Sequence, residues 1–165
     1  DFIEQTGLKR QDTREHVSSF NKADAARARG QARASKNLAI RTENAYNSKR
    51  EETRELIRSP EMPKKLNVGN QNKHIRDSKG YIPGRSYIYG DLETAQKLVD
   101  QHHGTGEIIY NKKGEWVKKE FFTVDEDIGV DIDPESGVET PTNRFSIHYG
   151  KKGTHVVPAE RRDEK

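Results

Sequence analysis

Aromatic residues are spread very unevenly along this chain, and their distribution limits where a hydrophobic core can form. Phe2, Phe20 and Tyr46 stand alone before position 80, whereas nine aromatic residues follow it. Only 30% of the 165 residues are hydrophobic, against about 45–50% in an average globular domain. We therefore predict one core of about 100 residues in the C-terminal part of the chain, rather than a core that spans all of it.

The N-terminal third of the chain has the composition of a polar helix. Residues 12–58 are dominated by Ala, Arg, Glu, Lys and Gln, which are good helix formers, and their apolar stripe is thin. The prolines of the segment 59–63 end this helix, because proline cannot continue one. The boundary at about 59–66 predicts a polar helical carrier or linker segment over 1–65 and an α+β domain over 66–165.

The two predicted segments also differ in charge. Residues 1–65 carry a net charge of +5 and the remainder −2. A cationic helix face suggests nucleic-acid binding, but Glu51, Glu52 and Glu55 interrupt the positive field. A solvated helix within a longer multidomain chain is the favoured interpretation.

The sequence after residue 66 predicts a compact α+β domain, with one or two helices packed on an antiparallel sheet of about four to five strands. Val68–Asn72 is typical of a loop. Asp91–Val99 predicts a short helix, with Asp91 as its N-cap. Strand candidates separated by turn signals follow: Glu107–Tyr110, Trp116–Phe122, Ile128–Ile132, Arg144–Tyr149 and Thr154–Val157.

The last two strand candidates flank a Gly-Lys-Lys-Gly turn and form a predicted β-hairpin. If the turn centres on Lys151 and Lys152, His148 faces His155 with Cβ atoms about 4.5–5.5 Å apart. Strand alternation then gives one accessible face and one core face. The accessible face holds Ser146, His148, His155 and Val157, and the core face holds Phe145, Ile147, Tyr149, Thr154 and Val156.

Two neighbouring imidazoles suit acid–base chemistry, because they cannot both be protonated easily and their titrations should split. One then acts as base and the other as acid near neutral pH. RNA cleavage without a metal needs this pair and a cation at the phosphate, for which Lys151, Lys152 or Arg85 are candidates. On the pattern alone, an exposed hairpin with two incidental histidines remains open.

The other histidines carry weaker signals. His74, in isolation, is typical of a surface histidine, and His102 and His103 follow the short helix, where a cation suits the negative helix end. The chain has no Cys, no H-x-x-x-H pair and no glycine-rich phosphate loop. We therefore expect no metal and no cofactor.

No run of residues approaches the roughly 18 apolar residues of a membrane span, so we expect no such span. No signal peptide is visible at the N-terminus. The first residue is Asp rather than Met, which suggests a fragment of a longer protein.

Several motifs of the C-terminal part resemble polymorphic toxin type 50 domains, over about residues 66–160. These are Asn72-Lys73-His74-Ile75, Gly104-Thr105-Gly106, Ile128-Gly129 and the closing run from Ile147 to Ala159. The closing motif of that family usually reads IHYSK-x-GTHI[IV]P. Here Gly150 stands where serine is common, so that serine has no counterpart in this chain.

The resemblance implies a ribonuclease of the barnase–EndoU–colicin–RelE group that acts without metal, as the C-terminal module of a larger delivered protein. It implies action in the bacterial cytoplasm and neutralisation by an immunity protein. Residues 5–10 resemble the region upstream of such domains in phage minor capsid proteins. The catalytic candidates that it implies are Lys73, His74, His148, Thr154 and His155. The predicted substrate-binding residues are Lys151, Lys152, Arg85 and Tyr149.

Two other functions fit the sequence less well than an RNA-cleaving toxin. A non-enzymatic phage-head or nucleic-acid-binding protein would need cations for phosphate affinity, whereas the second half is net negative. A DNase would need a carboxylate or metal-ligand cluster, which the sequence lacks.

Overall fold

The computed structural model describes the backbone of residues 2–162 and the side chains of residues 21–162. Helix α1 spans Phe2–Arg58, which confirms the predicted N-terminal helix and extends it towards the N-terminus. The chain divides into two units, residues 1–48 and 49–165. In the first unit every side chain from 21 to 48 is exposed, as the thin apolar stripe predicts. The side chains of residues 5–10, which carry the phage-like resemblance, lie outside the described residues.

The last turns of α1 belong to the second, compact unit. Ile57 is fully buried, and the hydroxyls of Thr53 and Tyr110 share a hydrogen bond of 2.7 Å. The guanidinium of Arg58 donates to the carbonyl of Gly104 at 2.8 Å. This unit therefore includes helical residues that precede the predicted boundary at 59–66.

The second unit is an α+β domain with two antiparallel sheets, which confirms the predicted fold class. Its helices are α2 (Val68–Asn72) and α3 (Leu92–His102). The three-stranded sheet has the order β1-β4-β5, and the four-stranded sheet has the order β2-β3-β6-β7. The strands are β1 (Tyr87–Ile88), β2 (Glu107–Tyr110), β3 (Trp116–Thr123), β4 (Gly129–Ile132), β5 (Glu139–Thr142), β6 (Arg144–His148) and β7 (His155–Pro158).

All five predicted strands are present, but two strands and one helix were not predicted. β1 has only two residues, and β5 lies at a sheet edge with Pro141 inside it, where proline is tolerated. Val68–Asn72 is a helix rather than a loop, because the side chain of Asn67 caps it by accepting from the backbone of Asn70 at 3.1 Å.

The hydrophobic core lies between α3 and one face of the four-stranded sheet. Asp91 and Thr94 form a capping box at the start of α3, which confirms the predicted N-cap, and Ala95 and Val99 are fully buried. The predicted core face of the hairpin is also confirmed, since its five residues are 6% exposed or less.

The glycines of Gly104-Thr105-Gly106 have a structural role. Glu120 on β3 is fully buried, and its carboxylate accepts hydrogen bonds from the backbone N–H groups of Gly104 and Gly106, both at 2.9 Å. A Cβ at Gly106 would lie 2.7 Å from the carbonyl oxygen of Phe121. Any side chain there would therefore disturb the loop that holds the buried carboxylate.

Candidate active site

The hairpin of β6 and β7 places two histidines side by side. His148 and His155 are directly opposed in the strand register, and their ring centroids are 4.7 Å apart. The turn is closed by a hydrogen bond of 3.2 Å from the N–H of Gly153 to the carbonyl of Gly150. The predicted register and the shared face of the two rings are confirmed.

His74 joins this pair from a distant part of the sequence. Its ring stacks near that of His155, with centroids 6.0 Å apart and an interplanar angle of 12°. Only 7% of His74 is exposed, so it is not the surface histidine that its isolated position suggested. The three imidazoles form one cluster, which we call the histidine cluster, with His155 next to both of the others.

A buried glutamine docks the segment that carries His74 onto the sheet. The side-chain amide of Gln71 donates to the carbonyl of Val156 at 3.0 Å and accepts from its N–H at 2.6 Å. Gln71 thereby occupies the free hydrogen-bonding edge of β7, next to His155. This side-chain-to-backbone contact sets the position of α2 and therefore of His74.

The tautomer of His74 is fixed by its surroundings. Its Nδ1 lies 2.8 Å from the carbonyl oxygen of Ser86, and a carbonyl only accepts, so Nδ1 carries the proton. The neutral ring then keeps a lone pair on Nε2. Ser86 is itself held in place, since its hydroxyl donates to Asp131 at 3.2 Å and accepts from the N–H of Ile132 at 2.9 Å.

His148 has one hydrogen-bond partner next to it on the same strand. Its Nε2 shares a hydrogen bond of 2.9 Å with the hydroxyl of Ser146, which is 3% exposed. This contact orients the ring on the sheet face and leaves Nδ1 for another partner.

Burial dominates the electrostatics of the cluster. It lowers the pKa of His148 to about 3, with smaller contributions from His155 and Lys119. It lowers the pKa of His155 to about 4, with contributions from His74 and Lys73. The pKa of His74 is also lowered by burial, although the bond to Ser86 opposes the shift. All three rings are therefore neutral at pH 7 in the free domain, whereas the sequence argument expected one to be an acid near neutral pH.

Lys119 belongs to this site, and the sequence analysis did not find it. It lies directly opposite His148 in the pairing of β3 with β6, and its charge lowers the pKa of both His148 and His155. Directly opposed residues project from the same sheet face. The only sequence signal is its place in a predicted strand, and it becomes informative once the partner of that strand is known.

The other predicted site residues lie at different places. Lys151 and Lys152 are exposed at the tip of the hairpin turn, and Arg85 is exposed with its charge lowering the pKa of His74. Thr154 is fully buried on the core face, and its hydroxyl donates to the carbonyl of Lys64 at 3.4 Å. Tyr149 is also on the core face, where its hydroxyl donates to Glu120.

Of the predicted residues, the structure thus gathers five at one place: Lys73, His74, Arg85, His148 and His155. The side chains of Tyr149 and Thr154 are held on the opposite face of the sheet. Burial and the charge of Glu120 raise the pKa of Tyr149, which keeps its hydroxyl protonated.

His102 and His103 lie at the C-terminal end of α3, as predicted. His103 is the C-cap residue, and its Nδ1 bonds the carbonyl of Val99 at 2.7 Å. The ring of His102 packs against Phe122 and Phe145, with centroids 5.7 and 5.6 Å away. Both histidines therefore have contacts that account for their positions.

Among residues 21–162, no three His, Cys, Asp or Glu side chains are arranged to hold a metal ion. None of the helices in the described part of the chain is long and apolar enough to cross a membrane.

A family model provides the identification. The model of Ntox50, described as bacterial toxin 50, matches residues 66–158, which is more than half of the chain and includes all three residues of the histidine cluster. The chain belongs to this toxin family. The match confirms the resemblance seen in the sequence motifs, and membership implies a polymorphic toxin with a cognate immunity partner. A search of curated protein sequences found no significant match.

Proposed function

We propose that the toxin 50 domain is a metal-independent endoribonuclease that cleaves RNA through attack of the ribose 2′-OH on the adjacent phosphate. The observation that carries this proposal is the histidine cluster: three imidazoles with ring centroids 4.7 and 6.0 Å apart, next to Lys73 and Lys119. General acid–base catalysis with a positioned cation is what this reaction needs.

His74 is the proposed base, because its Nε2 is left with a lone pair by the hydrogen bond from Nδ1 to Ser86. It accepts the proton of the 2′-OH while the 2′-oxygen forms a bond to phosphorus. The bond from phosphorus to the 5′-oxygen breaks, and this oxygen takes a proton from the acid. The products are a 2′,3′-cyclic phosphate and a 5′-OH.

His148 and His155 act together as the proposed acid. Their pKa values of about 3 and about 4 in the free domain leave both rings neutral. A bound phosphodiester brings a negative charge within reach of the rings, and an opposite charge raises the pKa of an imidazole. One proton then enters the pair and belongs to the pair rather than to either ring.

Lys119 and Lys73 are the proposed cations that stabilise the negative charge of the crowded phosphate. Both lie close enough to the cluster for their charges to lower the pKa of His155. They take the role for which Lys151 and Lys152 were candidates, because those two lysines stand at the exposed tip of the turn. Arg85 remains a third cation of the site, because its charge lowers the pKa of His74.

The biological setting is part of the same proposal. The domain is the C-terminal module of a larger delivered protein, and the part of α1 that precedes residue 49 serves as carrier or linker. It acts on RNA in the cytoplasm of a target bacterium, where the immunity protein neutralises it.

The test is incubation of the full chain with total RNA, followed by analysis of the product ends. We expect 2′,3′-cyclic phosphate and 5′-OH ends and no inhibition by EDTA. His155→Ala should strongly lower the rate of cleavage, and His103→Ala, at the end of α3, serves as the matched histidine control. A domain that leaves RNA intact would contradict the proposal and favour a non-enzymatic role. Cleavage that requires added Mg²⁺ would contradict the metal-independent mechanism.

A further inference from the structure

A cleft of about 320 Å³ lies where β3 ends and β6 begins. Phe121, Thr123 and Arg144 line it from the sheet face that carries the histidine cluster, and His102 and Phe122 line it from the core side. The strand register relates the two sites. Lys119 is opposite His148, whereas Phe121 is opposite Ser146. Phe121 is therefore two residues, or about 7 Å, from Lys119 along β3, which is comparable with the span from phosphate to base within one nucleotide. Arg144 is four residues from His148 along β6.

A buried arginine is the main polar feature of this cleft. The side chain of Arg144 is only 8% exposed, and its guanidinium donates to the hydroxyl of Thr123 at 3.2 Å and to Glu107 at 3.4 Å. It also lies 5.1 Å from the centre of the Phe121 ring. These contacts hold a cation and an aromatic ring in fixed positions.

Phe121 is the exception to the burial pattern of its neighbours. Phe122 and Phe145 point into the core, whereas Phe121 is partly exposed and lines the cleft. A partly exposed aromatic ring next to a cation is the arrangement on which bases of single-stranded nucleic acids stack.

The charges of the cleft also favour an anionic polymer. Arg144 and Arg162 both pair with the single carboxylate of Glu107, at 3.4 and 3.0 Å. Two cations against one anion leave a positive balance in the cleft, although the whole C-terminal part is net negative. A local field of this kind is sufficient to attract a charged substrate to a cleft.

We propose that this cleft binds a nucleobase of the RNA next to the scissile phosphate, with the base stacked on Phe121 while the phosphate lies at the histidine cluster. Arg144 positions the Phe121 ring from the protein side. This inference rests on the proposed function and adds the subsite that holds the substrate on the sheet.

The experiment follows the logic of a double-mutant cycle, in which one change is made in the protein and the other in the substrate. The substrate is an oligonucleotide with one ribonucleotide in a 2′-deoxy background, so that cleavage occurs at one position. Matched substrates lack the base of the ribonucleotide itself or of the nucleotide that follows it. Wild type, Phe121→Leu and Phe121→Tyr are compared by kcat/KM, and Tyr89→Leu, at an exposed tyrosine of the other sheet region, is the aromatic control.

Base–aromatic stacking accounts for about 10- to 100-fold in binding. We expect a loss of that size for wild type on one abasic substrate, and a similar loss for Phe121→Leu on the intact substrate. The two losses should not multiply when they are combined, because both remove the same contact. Phe121→Tyr keeps an aromatic face for stacking and should lose much less than Phe121→Leu, whereas Tyr89→Leu should cleave like wild type.

Losses that multiply would overturn the inference, since Phe121 would then act independently of the base. A second measurement separates it from the proposed function: anisotropy of a labelled 2′-O-methyl oligonucleotide reports binding without cleavage. Cleavage without any effect of Phe121→Leu overturns the subsite and leaves the function intact. Binding that depends on Phe121, with no cleavage of any RNA, supports the subsite and overturns the function.

Discussion

The two faces of the four-stranded sheet both bury ionisable side chains, but they satisfy them differently. On the core face, the carboxylate of Glu120 accepts two backbone N–H groups and the hydroxyl of Tyr149. On the opposite face, the three imidazoles of the histidine cluster have few hydrogen-bond partners, and cations stand beside them.

This difference indicates that the core face contributes to the stability of the fold and the opposite face to the chemistry of the site. A buried charged group with a full set of donors stabilises the fold and is difficult to change. Burial lowers the pKa of an imidazole. If one of its nitrogen atoms has no hydrogen-bond partner, that nitrogen is available to bind and transfer a proton. We therefore expect substitutions on the core face to affect folding and substitutions in the cluster to affect cleavage.

The largest expected effects are those of the cluster. His148→Ala and His155→Ala should each lower the rate of RNA cleavage by roughly 10²–10⁴-fold, the usual effect of losing a general acid or base. His74→Ala should also lower it, because the proposed base is lost. Initial rates are compared with those of His103→Ala. If His103→Ala is as damaging as the cluster variants, the cluster is not the active site.

Lys119→Gln should lower cleavage by about 10²-fold, because it removes one group that stabilises developing charge. The exposed lysine of the turn tip gives the matched control, and Lys152→Gln should stay close to wild type. The measurement is kcat/KM on one RNA substrate. Equal losses for both lysines would return the cation role to the turn, as the sequence alone suggested.

Glu120→Gln, on the core face, should destabilise the fold, in contrast to the cluster substitutions, which should lower cleavage. One amide N–H₂ would face a backbone N–H donor, so we expect a loss of about 3 kcal/mol in the free energy of unfolding. Urea unfolding measures it, with the exposed Glu115→Gln as control. A folded Glu120→Gln variant with wild-type stability would show that the glycine loop does not depend on this carboxylate.

The last expected effect is in the pH dependence of stability. The pKa values of His148 and His155 fall from an ordinary value of 6.5 to about 3 and about 4. At a pH between the lowered and the ordinary pKa of each ring, the unfolded chain therefore binds more protons than the folded chain. Their contribution to stability is complete above pH 6.5 and declines as the pH falls towards 4.

The measurement is the thermal midpoint at about pH 7 and about pH 5, on either side of the ordinary histidine pKa. The double variant His148→Asn, His155→Asn should show a smaller decrease than wild type, since asparagine does not titrate in this range. An equal decrease in both proteins would mean that the two rings keep ordinary pKa values.

Much of the site followed from local sequence. A hairpin brings residues close in sequence into register, so His148 and His155 were placed opposite each other from the turn residues alone. The alternation of side chains along each strand then predicted which residues face the core and which face the site. The N-cap of α3 at Asp91 was also predicted, because a helix cap depends on residues close in sequence.

Non-local pairing decided the rest. Lys119 enters the site because β3 pairs with β6, and His74 because Gln71 docks α2 on the edge of β7 across 85 residues of sequence separation. Neither contact leaves a local pattern. The short strands β1 and β5 were missed for a similar reason, because two residues, or an edge segment with proline, have no periodicity to detect.

The sequence by itself therefore determined the class of fold, the polar helix, the terminal hairpin and the family resemblance, since each of these depends on composition, spacing or motif. The tertiary structure decided which cations accompany the histidines, that His74 is buried beside His155, and how far burial lowers the pKa of each ring. Burial and charge are properties of surroundings, and residues distant in sequence supply those surroundings only after the chain has folded.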